Sequence, residues 1–449
     1  MRTVRPRSRP LRGRIPDRDR EILRLAAPAF AALVAEPLFL LADSAIVGHL
    51  GTPQLAGLGV AGALLATAVS VCVFLAYGTT ASVARRLGAG DLRSALAQGI
   101  DGLWLALLLG ALLAVAAATL ADPLVAAFGT SEVATPYAIT YLRVAAPGIP
   151  AMLLVLAATG VLRGLQDTRT PMVAATVGAV ANVGLNLGLV YGAGLGIAGS
   201  ALGTDLAQLG MAVALTAVVV RGARRLEVPA RPHWAGIRAA ATIGIPLLVR
   251  TITLRVALLA ATYVASVAGT VAVAAHQVAF TVWTLLALAL DAVAIAGQAI
   301  VGRALGAGDA EGARAATRRM MQWGLVSGVL LAVVLILVRA AFVPLFTDDA
   351  DVRALLSSVL VVAALFQPVN GVVFALDGVL IGAGDGRYLA LAGVLTLVAF
   401  LPLAALVLVT DAGLVALWWA FGGFMVARLV TLVWRERTEK WLLTGPTIP

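Results

Sequence analysis

Twelve apolar stretches follow one another through this chain, most of them longer than twenty residues, with only short polar breaks between them. A helix crossing the hydrocarbon core of a bilayer uses about 20 such residues, and there its backbone must satisfy its own hydrogen bonds. The stretches fall near 22–48, 55–82, 94–120, 134–162, 170–192 and 197–221, then near 238–266, 272–301, 313–338, 353–381, 388–409 and 413–434. With 12% charged residues in 449, the chain has too little polar surface for a soluble fold, in which about a quarter of residues carry charge. The expected fold is an all-α membrane protein with twelve transmembrane helices.

Several function classes drop out at once. The only lysine, Lys440, precedes Trp441, so there is no Gly-rich loop ending in Lys-Ser/Thr to cradle a nucleotide. His49, His233, His276 and Cys72 are scattered, which gives neither a metal site nor a disulfide framework. Asp43, Ser44 and His49 are neighbours on one span, whereas a triad converges from different directions. The chain is therefore expected to be no enzyme, to carry no cofactor, and to bind the lipid bilayer and not nucleic acid.

Charge orients the spans. Nine arginines precede residue 25, and the breaks at 83–93, 163–169, 221–238, 302–319 and 385–387 hold most of the others. Alternate breaks carry Asp122, Glu132, Asp348, Asp349, Asp351 and Asp411. Because basic residues stay on the cytoplasmic side, both termini are expected to be cytoplasmic.

An internal repeat organises the spans. Val83-Ala-Arg-Arg-Leu-Gly-Ala-Gly-Asp91 recurs 218 residues later as Val301-Gly-Arg-Ala-Leu-Gly-Ala-Gly-Asp309, and the same offset carries Pro28 to Pro246, Pro150 to Pro368 and Gly160 to Gly378. Units of six spans enter the membrane from the same side, so the two are related by an axis along its normal. The expected organisation is a basic tail (1–21), a six-helix lobe (22–221), a linker (222–237), a second six-helix lobe (238–434) and a C-terminal tail (435–449). Two such lobes suit alternating access.

Acids inside spans are costly and mark cavities or partners. The first lobe has Glu36 and Asp43, seven residues apart on one helix face, together with Asp101 and Asp205. Asn182 and Asn186, one turn apart, and Thr204 add oxygen atoms able to hold a hard cation or a protonated Asp43. These residues, Glu36, Asp43, Asn182, Asn186, Thr204 and Asp205, form the candidate cation-coupling site. In the second lobe Asp291 and Asp377 accompany Arg250 and Arg255, and an ion pair of Arg255 with one of the acids is expected. His276, Gln277, Trp283, Asp291, Gln298, Gln367, Asn370 and Asp377 are candidates for lining a substrate cavity. The Gly-Ala-Gly-Asp loops read as tight turns whose aspartates cap the next helix.

Across residues 20–437 the pattern resembles the multidrug and toxic compound extrusion (MATE) family, and its DNA-damage-inducible protein F-like branch in particular. The residues that carry the likeness are Glu36-Pro-Leu, Asp43-Ser-Ala-Ile-Val-Gly-His-Leu-Gly51, Ala275-His-Gln277, Val301 to Asp309, and Leu376-Asp-Gly with Gly382-Ala-Gly-Asp385. The resemblance implies a secondary active transporter, a multidrug antiporter in the bacterial inner membrane. It would exchange protons or sodium for small organic, often cationic or amphipathic, compounds, and would act as a monomer. It places the coupling acid at Asp43, the kinking proline at Pro28, the fifth-span partners at Asn182 and Asn186, and the sixth-span hydroxyl at Thr204. Asn186 departs from relatives that have aspartate, which favours protons. The alternative is a flippase for a lipid-linked precursor, whose cavity would need several unpaired basic residues.

Overall fold

A computed structural model describes residues 15–447, so most of the arginine-rich tail, residues 1–14, lies outside the described residues. The first half contains α1 (Ile15–Gly48), α2 (Thr52–Val71), α3 (Phe74–Gly88), α4 (Leu92–Thr119), α5 (Ala121–Ala127), α6 (Thr135–Ala145), α7 (Ile149–Gly164), α8 (Arg169–Leu187) and α9 (Gly196–Arg225). The second contains α10 (Trp234–Val267), α11 (Thr270–Gly306), α12 (Ala310–Phe342), α13 (Ala350–Leu365), α14 (Gln367–Gly382), α15 (Gly386–Val409) and α16 (Gly413–Arg437). Every regular element among the described residues is helical, as composition requires. Among the described residues eleven segments are long and apolar enough to cross a membrane, and the pair α13 and α14, bent by 49°, makes a twelfth when counted as one span. The chain is a multi-pass membrane protein.

The bend has a local cause. Pro368, at the second position of α14, offers no N–H to the Ala364 carbonyl. Pro150 stands 218 residues earlier, where a 3-10 turn at Ala146–Gly148 separates α6 from α7. The repeated loops also behave alike: Asp91 accepts from the Ser94 N–H at 2.9 Å and Asp309 from the Gly312 N–H at 2.7 Å. Gly90 and Gly308 supply the left-handed turn at φ +79° and +76°. The Ser94 contacts hold the Asp91 carboxyl below its ordinary range.

Tight helix crossings repeat at the same offset. A Cβ on Gly160 would lie 2.5 Å from the Ala76 carbonyl oxygen, and one on Gly378 would press at least as hard on that of Ala294. One turn on, Gly164 faces the Thr80 carbonyl oxygen, with a Cβ approach of 2.8 Å, and Gly382 faces that of Gln298. Lacking a hydrophobic force between helices in lipid, such spans depend on close backbone approach for dispersion contact.

The chain sorts into two compact units, residues 27–244 and residues 1–26 with 245–449. The divisions fall inside α1 and α10, in each case one residue before the proline, Pro28 or Pro246. Side chains explain the grouping of each helix start. Arg319 grips Asp19 with two bonds of 2.6 Å, Trp323 donates to the same carboxylate at 2.9 Å, and Arg303 pairs with Glu21. In the other unit Gly236 closes on Asp101, and the Trp104 indole donates to the Ala230 carbonyl at 2.9 Å. Arg143 pairs with Asp122 at 2.5 Å, both side chains about half exposed.

Candidate functional site

Near the end of α1, Asp43 is 2% exposed, and α8 and α9 close around it with Asn182, Asn186 and Thr204, all buried. The Asn186 amide donates to Asp43 Oδ1, and the Thr204 hydroxyl donates to Oδ2 at 3.2 Å. Asn182 donates in turn to the Thr204 oxygen at 3.2 Å, and Asn186 reaches Asn182 Oδ1 at 3.5 Å. The donors from Asn186 and Thr204 to this buried carboxyl are neutral, and among the described residues it forms no ion pair. Asn186 Oδ1 is left buried without a donor, so the site keeps an unused acceptor beside the carboxyl, suited to a proton or a small cation.

Local sequence sets this geometry. The i, i+4 spacing of Asn182 and Asn186 stacks both amides on one face of α8. Gly203 lets α9 come close, because a Cβ there would collide with Asn186 Oδ1. A π-type turn at Gly188–Gly192 ends α8 and carries Tyr191, whose hydroxyl donates to the Ile46 carbonyl in the last turn of α1 at 2.6 Å. Such bulges recur at functional sites, and this one ties α1 to α8 three residues from Asp43. We expect Gly203→Ala to push Asn186 off Asp43 and slow transport about tenfold or more, the worth of a hydrogen bond to a charged group. Wild-type flux in a folded Gly203→Ala protein would count against the network.

Other candidates fall elsewhere. Glu36 is exposed and contributes no hydrogen bond to the network, because seven residues along a helix keep the face but move about 10 Å along the axis. Asp205 follows Thr204 and so points about 100° away around the helix. Its Oδ1 is buried without a well-formed hydrogen bond and packs on Gly148, where it fills the space a Cβ would take. Asp205 thus belongs to the α6–α7 break. Tyr141 of α6 was not singled out from sequence, yet it is 4% exposed and lies beside Thr204 and Ser200. A lone tyrosine in an apolar run gives no signal of this role.

In the second unit, of the two acids expected to pair with Arg255, Asp291 or Asp377, Asp377 is held by other arginines. Arg255 is exposed, and Asp377 is gripped by Arg250 and by Arg428, the latter at 2.9 Å. Asp291 is half-buried on α11. Gln277 is exposed. His276, Trp283, Gln298, Gln367 and Asn370 are buried within the packing instead of forming an open wall. His276 contacts Thr262 at 3.3 Å and stacks on Phe280, and Trp283 meets Phe421 edge-on. The Gln298 and Gln367 backbone carbonyls face Gly382 and Gly328 at close helix crossings. The amide groups of both glutamines lack partners.

The two halves differ in chemistry. At the 218-residue offset, Asp43, Asn182, Asn186 and Thr204 become Ala261, Phe400, Ala404 and Gly422. The acid site therefore belongs to the first repeat alone.

Comparison with known proteins bears on both fold and site. The MatE family profile matches twice, over residues 28–187 and 246–406, with starts 218 residues apart. "Protein DETOXIFICATION 44, chloroplastic" of Arabidopsis thaliana is 32% identical over 456 residues, covering 96% of this chain and 85% of that protein. "DNA damage-inducible protein F" of Escherichia coli K12 is 27% identical, covering 94% of each. A solved MOP superfamily transporter from Pyrococcus furiosus superposes with a TM-score of 0.86 at 23% identity, covering 94% of this chain and 96% of that one, and so shares the two-lobe helical fold. With both repeats matched, the chain belongs to the multidrug and toxic compound extrusion family.

Proposed function

We propose that this protein is a proton-coupled antiporter that exports small organic, often cationic or amphipathic, compounds by alternating access. The observation that carries this reading is Asp43: a buried carboxyl hydrogen-bonded by an amide and a hydroxyl, with an unused amide oxygen beside it. A carboxyl held only by neutral donors can gain and lose a proton or small cation without breaking an ion pair, which a carrier that cycles between loaded and empty forms requires. Asn186 contributes an amide where a second carboxylate would strengthen sodium binding, so one net charge is available and protons are favoured over sodium. Relatives carry the names "Probable multidrug resistance protein NorM" in Thermotoga maritima and Pseudomonas putida, which supports organic substrates. The bacterial relatives support an inner membrane location, and the arginine distribution supports an orientation with both termini cytoplasmic.

Purified protein in liposomes, assayed for dye movement under an imposed pH or sodium gradient, tests the reading. Dye should move against a pH gradient without sodium. Movement driven by sodium alone would overturn the choice of ion, and no movement under either gradient would overturn the function.

A further inference from the structure

At one end of the second unit an open cavity of about 370 Å³ lies between the start of α12 and the end of α16, and the chain that follows α16 closes its third side. Its rim is polar, with Arg314 and Arg318 from α12, Glu436 and Arg437 from α16, and Glu439 from the tail. Its floor is apolar: Met321 and Val433 lie one turn further into their helices, and Leu442 joins them from the tail. The tail is held there by specific bonds. Trp441 is 2% exposed and its indole donates to the Glu436 carbonyl at 3.0 Å, while the Gly445 N–H donates to the Leu305 carbonyl at 3.0 Å. Arg314 grips Glu439 with two bonds of 2.8 Å, which hold that carboxyl below its ordinary range and cancel its charge. Arg318 and Arg437 are exposed and make no hydrogen bond or ion pair among the described residues, and Glu436 is the one other carboxylate in the lining. Guanidinium is always charged, so the rim carries one net positive charge.

The first repeat has the same seam and keeps it shut. At the 218-residue offset Arg314, Arg318, Glu436 and Arg437 become Leu96, Ile100, Val218 and Val219. Leu96, Ile100 and Val219 are buried where α4 packs along α9. The opening and its charges are therefore no inheritance of the shared helix scaffold, and they do not overlap the acid site of the first unit.

We propose that this cavity binds the headgroup of a singly charged anionic phospholipid, its phosphodiester held by Arg318 and Arg437 and its acyl chains leaving along Met321 and Val433. A planar guanidinium fork matches two phosphate oxygens. A basic rim over an apolar floor at the ends of two spans suits a ligand that is charged at one end and apolar at the other. One negative charge balances the rim. Glu436 repels a more highly charged phosphate and can accept from a headgroup hydroxyl, as phosphatidylglycerol offers. The inference stands independently of the coupling role of Asp43.

Full-length protein in a non-ionic detergent, at constant pH and ionic strength, is heated with dioctanoyl phosphatidylglycerol, dioctanoyl phosphatidylcholine or inorganic phosphate. Phosphatidylglycerol should raise the melting temperature, saturably and by about 3 °C or more at high occupancy. Phosphatidylcholine and inorganic phosphate should not. Arg318→Gln/Arg437→Gln should fold, because both side chains are exposed and unpaired, and should need about tenfold more lipid or above for half the effect, the worth of a lost charge-assisted hydrogen bond. Arg224→Gln/Arg225→Gln, an exposed pair in the first unit, should respond like the wild type. The proposal is overturned by a wild type indifferent to phosphatidylglycerol, or by an equal response to phosphatidylcholine or to inorganic phosphate. An undiminished response in Arg318→Gln/Arg437→Gln, or an equal loss in both double variants, would overturn it as well.

Discussion

Asp43→Asn is expected to abolish gradient-driven dye movement in proteoliposomes while the protein still folds and binds dye. The substitution keeps the planar shape, and the Asn186 amide can still donate to the remaining carbonyl oxygen. At the other position a new N–H₂ replaces the oxygen that accepted from Thr204, and the threonine hydroxyl can turn to accept instead. The cost to folding is therefore one rearranged hydrogen bond, about 1 kcal/mol. What is lost is titration: an amide carries no proton from one face of the membrane to the other. Glu36→Gln, exposed and outside the network, should transport near the wild-type rate. Transport by Asp43→Asn at the wild-type rate under an imposed gradient would remove Asp43 from the coupling role.

The second large effect concerns the cluster around Asp377. Asp377→Leu leaves two buried guanidiniums facing each other without their shared carboxylate. Breaking a buried ion cluster by removing one partner costs about 3–5 kcal/mol, whereas replacing all partners with apolar residues of similar size is often neutral. We expect Asp377→Leu to lose most of its monodisperse yield after detergent extraction, and Arg250→Met/Asp377→Leu/Arg428→Met to recover it. Equal yields of the single and triple variants would show that the charges do not hold one another in place.

Much of the fold could be read because a repeat imposes the same constraint twice. Pro150 and Pro368, Gly160 and Gly378, and Asp91 and Asp309 mark equivalent breaks, crossings and caps, and any one of these pairs alone would be weak. The site was legible where spacing fixes geometry. Asn182 and Asn186 must share a face, and the order of the spans brings Thr204 of α9 against them. It was illegible where orientation about a helix axis decides. Arg250 and Arg255 are five residues apart and so point about 140° apart, and the sequence says only that both lie in an apolar run. Helix packing turned Arg250 toward Asp377 and left Arg255 exposed. Arg428 escaped notice because its partner is 51 residues away on another helix, a pairing that no local pattern encodes. The buried glutamines show a related ambiguity: a polar side chain in a span marks an unusual environment but does not say whether that environment is open or packed.

The divisions inside α1 and α10 have a mechanical consequence. Each helix passes from one compact unit to the other one residue ahead of a proline. Pro28 denies the Arg24 carbonyl its helical donor, and Pro246 does the same to Thr242. A rod with one rung missing is most compliant at that rung, so any angular change between its ends concentrates there and spares the glycine-stitched crossings. Stiffness and compliance are thus written into different residue types: the bodies are stiff where Gly160, Gly164, Gly378 and Gly382 let backbones touch, and the joints are soft where two prolines withhold a single hydrogen bond each.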